Sequence, residues 1–119
     1  MKPETIENII DHQKTAYIAS VDENGYPNLK AMLAPRKRSG LREFWFTTNT
    51  SSMRVAQYRK NHKASIYFCD QRFFRGVMLM GTMEVLEDVE SKEIFLETEL
   101  RLLLFRYLAI CAKKELRPH

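Results

Sequence analysis

The stretch Phe44–Phe68, FWFTTNTSSMRVAQYRKNHKASIYF, changes period twice within 25 residues. EFWFTTN is aromatic and β-branched and reads as a strand. SSMRVAQYRKN switches to helical spacing, with Met53, Ala56 and Gln57 on one face and Ser51 or Ser52 as N-cap. Asn61-His62 ends that helix, and KASIYFCD alternates again as a strand. A helix is therefore inserted between two strands, and a hydroxyl-rich run, TTNTSS, feeds its N-terminus.

Outward from that stretch, the pattern stays mostly β. TAYIASVD is a strand, DENGYP supplies Asn24-Gly25 as a hairpin turn, and NLKAMLAPRK returns. KRSGLR turns the chain into EFWFTTN, so the pattern implies three consecutive hairpin strands. GVMLMGTMEVLED is a long fifth strand, with Gly81 as a bulge or point of close approach. KPETIENIIDHQK opens the chain as a short helix, with Ile6, Ile9 and Ile10 at helical spacing. A last helix is expected from about Val89, capped by Asp88, with Phe95 or Leu96, Leu100, Leu103 and Tyr107 as its stripe. Five antiparallel strands with inserted helices do not suit a doubly wound parallel sheet. They suit a mainly β (α+β) fold, a small antiparallel barrel with flanking helices.

The 119 residues bound this to one domain, 1–119, and 45% hydrophobic content is enough to fill a core. A domain this small leaves much surface uncovered, so a homo-oligomer is expected. Nineteen Lys and Arg against fifteen Asp and Glu give a net charge of +4, concentrated between Lys30 and Lys63. That local field suits nucleic acid, an acidic surface or a phosphorylated small molecule. Cys69 and Cys111 lack CxxC spacing, and MKPETIENII lacks an apolar leader core. The cytoplasm is the expected location.

Three groups of residues bear on chemistry. Free amides and the positive dipole end at the start of the inserted helix favour a phosphate, Arg54 adds a bidentate charge one turn in, and Thr47, Thr48, Ser51 and Ser52 donate hydroxyls. The same residues equally describe a plain capped helix with a solvated Arg. Lys30 alternates with Met32 on the second strand, and if that strand lies beside the cradle, the backbone of Ala31 and Met32 meets a flat ring edge. His12, His62 and His119 are scattered without metal or triad spacing, and Glu84, Glu87, Asp88 and Glu90 read as a cap and a solvated face. Met78, Met80 and Met83 read as core, as do Trp45 and Tyr67.

Taken in order, AYIASVDENGYPNLKAM, EFWFTTNTSSMR, VAQYRKNHKASIYF and GVMLMGTMEVLED resemble the pyridoxamine 5'-phosphate oxidase-like flavoproteins, which have a split β-barrel fold, and especially their short general-stress-protein branch. The resemblance runs from about Ile6 to Val89. It implies flavin mononucleotide (FMN) bound at a homodimer interface and a flavin-dependent oxidoreductase of unknown substrate. Carried onto this sequence, it places Lys30, Ala31, Met32 and Leu33 beside the flavin ring. Thr47 and Thr48 become the strand-end pair, Ser52, Met53 and Arg54 the phosphate element, and Gln57 a further contact. The partner strand is expected to supply residues near Phe73, Phe74, Arg75 and Gly76. The segment from about 97 departs from this branch, and the terminal Arg/His substrate motif of vitamin-B6 oxidation is not recognisable in it. Haem or a deazaflavin in the same fold is an alternative ligand. A small basic nucleic-acid-binding barrel is the alternative from another class, with Lys30, Arg36, Lys37, Arg38, Arg54, Arg59 and Lys60 tracking a phosphate backbone.

Overall fold

A computed structural model describes residues 2–49, 52–86 and 100–113. Helix α1 (Pro3–Asp11) is followed by β1 (Thr15–Val21), β2 (Pro27–Leu33), β3 (Lys37–Ser39) and β4 (Glu43–Asn49). Helix α2 (Met53–Lys60) comes next, then β5 (Lys63–Asp70), β6 (Arg75–Leu86) and β7 (Leu100–Lys113). All the strands join one antiparallel sheet in the order β2-β1-β5-β6-β7-β4-β3.

That sheet has to roll. Laid flat, seven strands set the outer two about 29 Å apart, yet β2 and β3, at opposite edges, are joined by residues 34–36 alone. Four Cα steps span at most about 15 Å. The closure is held by backbone bonds from Ala34 N–H to the Lys14 carbonyl (3.0 Å) and from Arg36 N–H to the Trp45 carbonyl (2.8 Å). The result is the small antiparallel barrel expected from the strand pattern, and the split barrel that the resemblance implies.

The alternating strands supply its interior. Ala16 and Ile18 of β1, Phe44 and Phe46 of β4, Ile66 and Phe68 of β5 and Val77, Leu79 and Met83 of β6 all face inward and are buried. Phe44 lies edge-on to Phe105, and Ile6, Ile9 and Ile10 bring α1 onto the same core. The hairpin turn forms at the expected site: Gly25 has φ +85°, and the Asp22 carboxylate accepts from the Asn24 and Tyr26 amides at 2.9 Å. Those two bonds, together with that of Asn28, hold its pKa below the ordinary value.

Several expectations are corrected. Residues 100–113 are strand β7, not the end of a helix, while residues 87–99, with the Asp88 cap and the Phe95 or Leu96 part of the stripe, lie outside the described residues. Leu102, Leu103, Leu104 and Phe105 are buried consecutively, so both faces of β7 are covered where it runs between β6 and β4. An apolar run of this length fits a doubly covered strand as well as a buried helix, and two open sheet edges decide for the strand. Among the described residues there are seven strands rather than five, and β4 pairs with β3 and β7, not with β2. Met78 and Met80 do share a face, but it is the outer one; only Met83 of that trio joins the core. Trp45 and Tyr67 are half-buried on the same outer side, Trp45 under the Lys37 ammonium at 5.1 Å. Gly81 sits where the β6–β7 register slips, as expected, and a Cβ there would run into the Arg106 carbonyl oxygen.

Candidate functional site

Helix α2 has little apolar surface with which to hold itself down. It buries only Val55 and Tyr58, one turn apart, and its remaining attachments are polar. Ser52 is the N-cap, in extended conformation, and its hydroxyl accepts from the Arg54 amide at 3.2 Å. The Tyr58 hydroxyl donates to the Ala19 carbonyl on β1 at 2.8 Å. Beside it, the hydroxyl of Ser20, only 1% exposed, donates to the Gln57 carboxamide oxygen. Burial pushes the Tyr58 hydroxyl well above its ordinary pKa, opposed by the charge of Arg54 and a hydrogen bond with Ser20.

Arg54 is half-buried, with its charge near the Tyr58 hydroxyl. Its Nε is buried and has no hydrogen-bond partner among the described residues. A buried donor left unmade costs about 1–3 kcal/mol, so an anion with oxygen acceptors fits beside the capped first turn of α2, where the amides and dipole also favour negative charge.

Between α2 and the β1–β2 hairpin lies an open cleft of about 630 Å³. Met53, Ala56 and Gln57, the face read from sequence, line one wall; Val21, Asp22, Glu23, Asn24 and Asn28 line the other. Asn28 and Lys30 both lie on the inward side of β2, opposite Ser20 and Ile18. Of the expected ligand residues, Ser52, Met53, Arg54 and Gln57 thus come together on α2, and Met53 and Gln57 open into the cleft. Lys30, Ala31 and Leu33 are exposed along β2, and Met32 packs against the core. None of these four, nor Thr47, Thr48, Ser52 or Arg54, lines the cleft. Thr47 faces outward and accepts from Arg36 Nε at 3.4 Å, and Thr48 is buried on the inward side. Ser51 lies outside the described residues.

Sequence reading passed over Ser20, Asn28 and Tyr58. Ser20 did carry a signal, a polar residue continuing the buried Ala16–Ile18 stripe, where an alternating strand calls for an apolar one.

At the far end of the sheet, the β5–β6 turn projects Phe73 and Phe74 into solvent. Arg72 and Arg75 both lie over the Phe73 ring, at 5.3 and 4.9 Å, and Phe74 has φ +50°, unusual for a bulky residue. Buried Asp70 accepts from Arg75 at 2.8 Å, and that bond holds its carboxyl below the ordinary range.

The chain as a whole has counterparts among known proteins. The family description "Pyridoxamine 5'-phosphate oxidase" matches residues 3–115. A pyridoxine/pyridoxamine 5'-phosphate oxidase of Agrobacterium fabrum is 34% identical over 91 residues, covering 76% of this chain and 43% of that protein. The chain thus spans less than half the length of that curated relative. Among solved structures, a Clostridium acetobutylicum protein related to general stress protein 26 of B. subtilis superimposes with a TM-score of 0.86 at 31% identity, covering 98% of this chain and 93% of that one. General stress protein 26 of Bacillus anthracis shares the fold, with a TM-score of 0.77 at 16% identity and 92% of each chain covered. With nearly its whole length matched by the family description, the chain belongs to the pyridoxamine 5'-phosphate oxidase family.

Proposed function

We propose that the protein binds FMN with its phosphate at the start of α2, and that it acts as a cytoplasmic, homodimeric flavin-dependent oxidoreductase related to the general stress proteins. The observation that carries this reading is the buried, unpartnered Nε of Arg54 beside the Ser52 cap. Membership in a family that generally binds flavin and is usually dimeric supports it. Ser52 and Arg54 hold the phosphate, Met53 and Gln57 flank the chain that leads from it, and Lys30 to Leu33 with Thr47 and Thr48 border the ring. Bound there, the flavin supplies hydride or electron transfer. The chain binds, orients and limits access. The outward face of the sheet supports self-association: Leu29 and Leu33 on β2, and Met80 and Leu108 on β6 and β7, stand exposed on it or at its rim. Among the described residues, no helix is long and apolar enough to cross a membrane.

Three of the seven bases read as a nucleic-acid track are engaged within the chain. Arg38 grips Asp11 and Glu7 (2.7 and 2.8 Å), Lys37 lies over Trp45, and Arg36 reaches Thr47. That favours a discrete phosphate over a tracked backbone.

The test is a titration of purified protein with FMN and, separately, riboflavin, followed by flavin fluorescence and absorbance near ~450 nm. Wild type is expected to prefer FMN. Replacing Ser52 and Arg54 together by Ala should weaken FMN by roughly 30-fold, as loss of charge-assisted hydrogen bonds implies, and riboflavin by no more than a few-fold. Equal losses for the two ligands would sink the phosphate assignment. A strong band near ~400 nm on purification would indicate haem instead.

A further inference from the structure

Nothing in the flavin reading accounts for Ser20, a buried hydroxyl on the inward face of β1. It follows Ile18 in a stripe that elsewhere is apolar, and burying it without a partner costs of order 1–3 kcal/mol. Both its contacts are on α2: it donates to the carboxamide oxygen of Gln57, 37 residues away, and it is hydrogen-bonded with the Tyr58 hydroxyl. A carboxamide is asymmetric, with an acceptor at one end and two donors at the other. The Ser20 contact engages the oxygen end and takes one of its two lone pairs.

We propose that Ser20 is a positioning residue: by holding the Gln57 oxygen against β1 it turns the Gln57 nitrogen into the cleft, so that this wall donates hydrogen bonds and selects a ligand presenting an oxygen acceptor. Gln57 lines the cleft, and its sequence neighbour Tyr58 is pinned to the adjacent Ala19 carbonyl at 2.8 Å. The backbone of α2 therefore cannot carry Gln57 away from Ser20 without breaking both bonds. The opposite wall is oriented in the complementary sense. Asn28, paired across from Ser20, spends its amide nitrogen on the Tyr26 carbonyl at 3.1 Å, which leaves its oxygen as the acceptor. A donor on α2 and an acceptor on β2 together suit a hydroxyl-bearing segment, since a hydroxyl satisfies both. This inference rests on the reading that the cleft beside α2 is the ligand site. It names which end of Gln57 the ligand meets.

Two measurements separate the amide's orientation from the identity of the ligand. In ligand-free, isotopically labelled protein, the Gln57 side-chain NH2 protons are expected to show nuclear Overhauser contacts to Met53 or Asn28 across the cleft, and Ser20→Ala should shift those NH2 resonances. Contacts to Ser20 and Tyr58 instead, or resonances that Ser20→Ala leaves unmoved, would overturn the proposal whether or not flavin binds. In the FMN titration, Ser20→Ala and Gln57→Ala should each weaken binding about fivefold, the worth of one hydrogen bond, and the double variant should be no weaker than Gln57→Ala. Ser20→Thr, which keeps the hydroxyl, should recover most of the loss. A second full fivefold loss in the Gln57→Ala background would show that Ser20 does not act through Gln57. Failure of wild type to bind FMN while the NH2 contacts stand would sink the flavin reading and leave the donor wall in place.

Discussion

The two helices cap the same barrel by opposite means. α1 is amphipathic: Ile6, Ile9 and Ile10 sit in the core, its first turn starts at Pro3 without a side-chain cap, and polar contact comes late, through Arg38. α2 buries two side chains, is capped by Ser52 accepting from the Arg54 amide, and is located by named hydrogen bonds, Gln57 to Ser20 and Tyr58 to Ala19. Apolar burial is non-directional and tolerates small shifts, whereas hydrogen bonds fix angle and register. α1 is built to hold the barrel shut, and α2 is built to be in one place.

The largest effect that follows is on α1. Ile9 is almost fully buried, and Ile9→Ala removes three carbons from a packed site, so unfolding free energy should fall by about 3 kcal/mol. Urea denaturation at neutral pH measures this directly. Under conditions where the variant is still folded, its FMN affinity should stay within about twofold of wild type. A loss of affinity comparable with that of the Arg54 variant would erase the distinction between the helices.

That division was partly legible in the sequence. The isoleucine spacing gave α1, and the move from alternation to a serine followed by helical spacing gave α2, its cap and its cleft face, because caps and periodicity are local. What escaped was non-local. Ser20 and Gln57 stand 37 positions apart, and neither residue type marks the other. β7 escaped because a leucine-rich run satisfies helix and buried strand alike until the open edges of β6 and β4 claim it. β3 is three residues long, below what alternation can show, and its role in closing the barrel follows from Trp45 and Phe44 across from it.

A smaller effect probes α2 itself. Tyr58→Phe keeps the buried ring and deletes the hydroxyl with its bonds to the Ala19 carbonyl and to Ser20, costing about 1 kcal/mol by urea denaturation. The sharper readout is binding. If α2 is located by directional bonds, FMN affinity should drop several-fold although the variant touches no expected ligand atom. Ile9→Ala, three times as costly to stability, should not do this. Unchanged affinity in Tyr58→Phe would mean that Val55 and the ring suffice to place the helix.

The smallest effect tests whether α1 has any directional anchor of its own. Arg38 on β3 spans Asp11 and Glu7, and its hydrogen bond to Asp11 is the main reason the Asp11 carboxyl lies below its ordinary range. Both carboxylates are substantially exposed, so screening holds the contribution to roughly 0.5 kcal/mol. Arg38→Met, which keeps the stem, should cost about that much near pH 6. A depressed folded pKa stabilises above the unfolded value of about 3.9, and the stabilisation is lost as pH falls through the folded value. The difference between variant and wild type should therefore be full at pH 5–7 and shrink below about pH 4, and added salt should shrink it at every pH. A penalty independent of both would assign Arg38 to packing against α1 and leave that helix with no directional contact of consequence, the limit in which the contrast with α2 is complete.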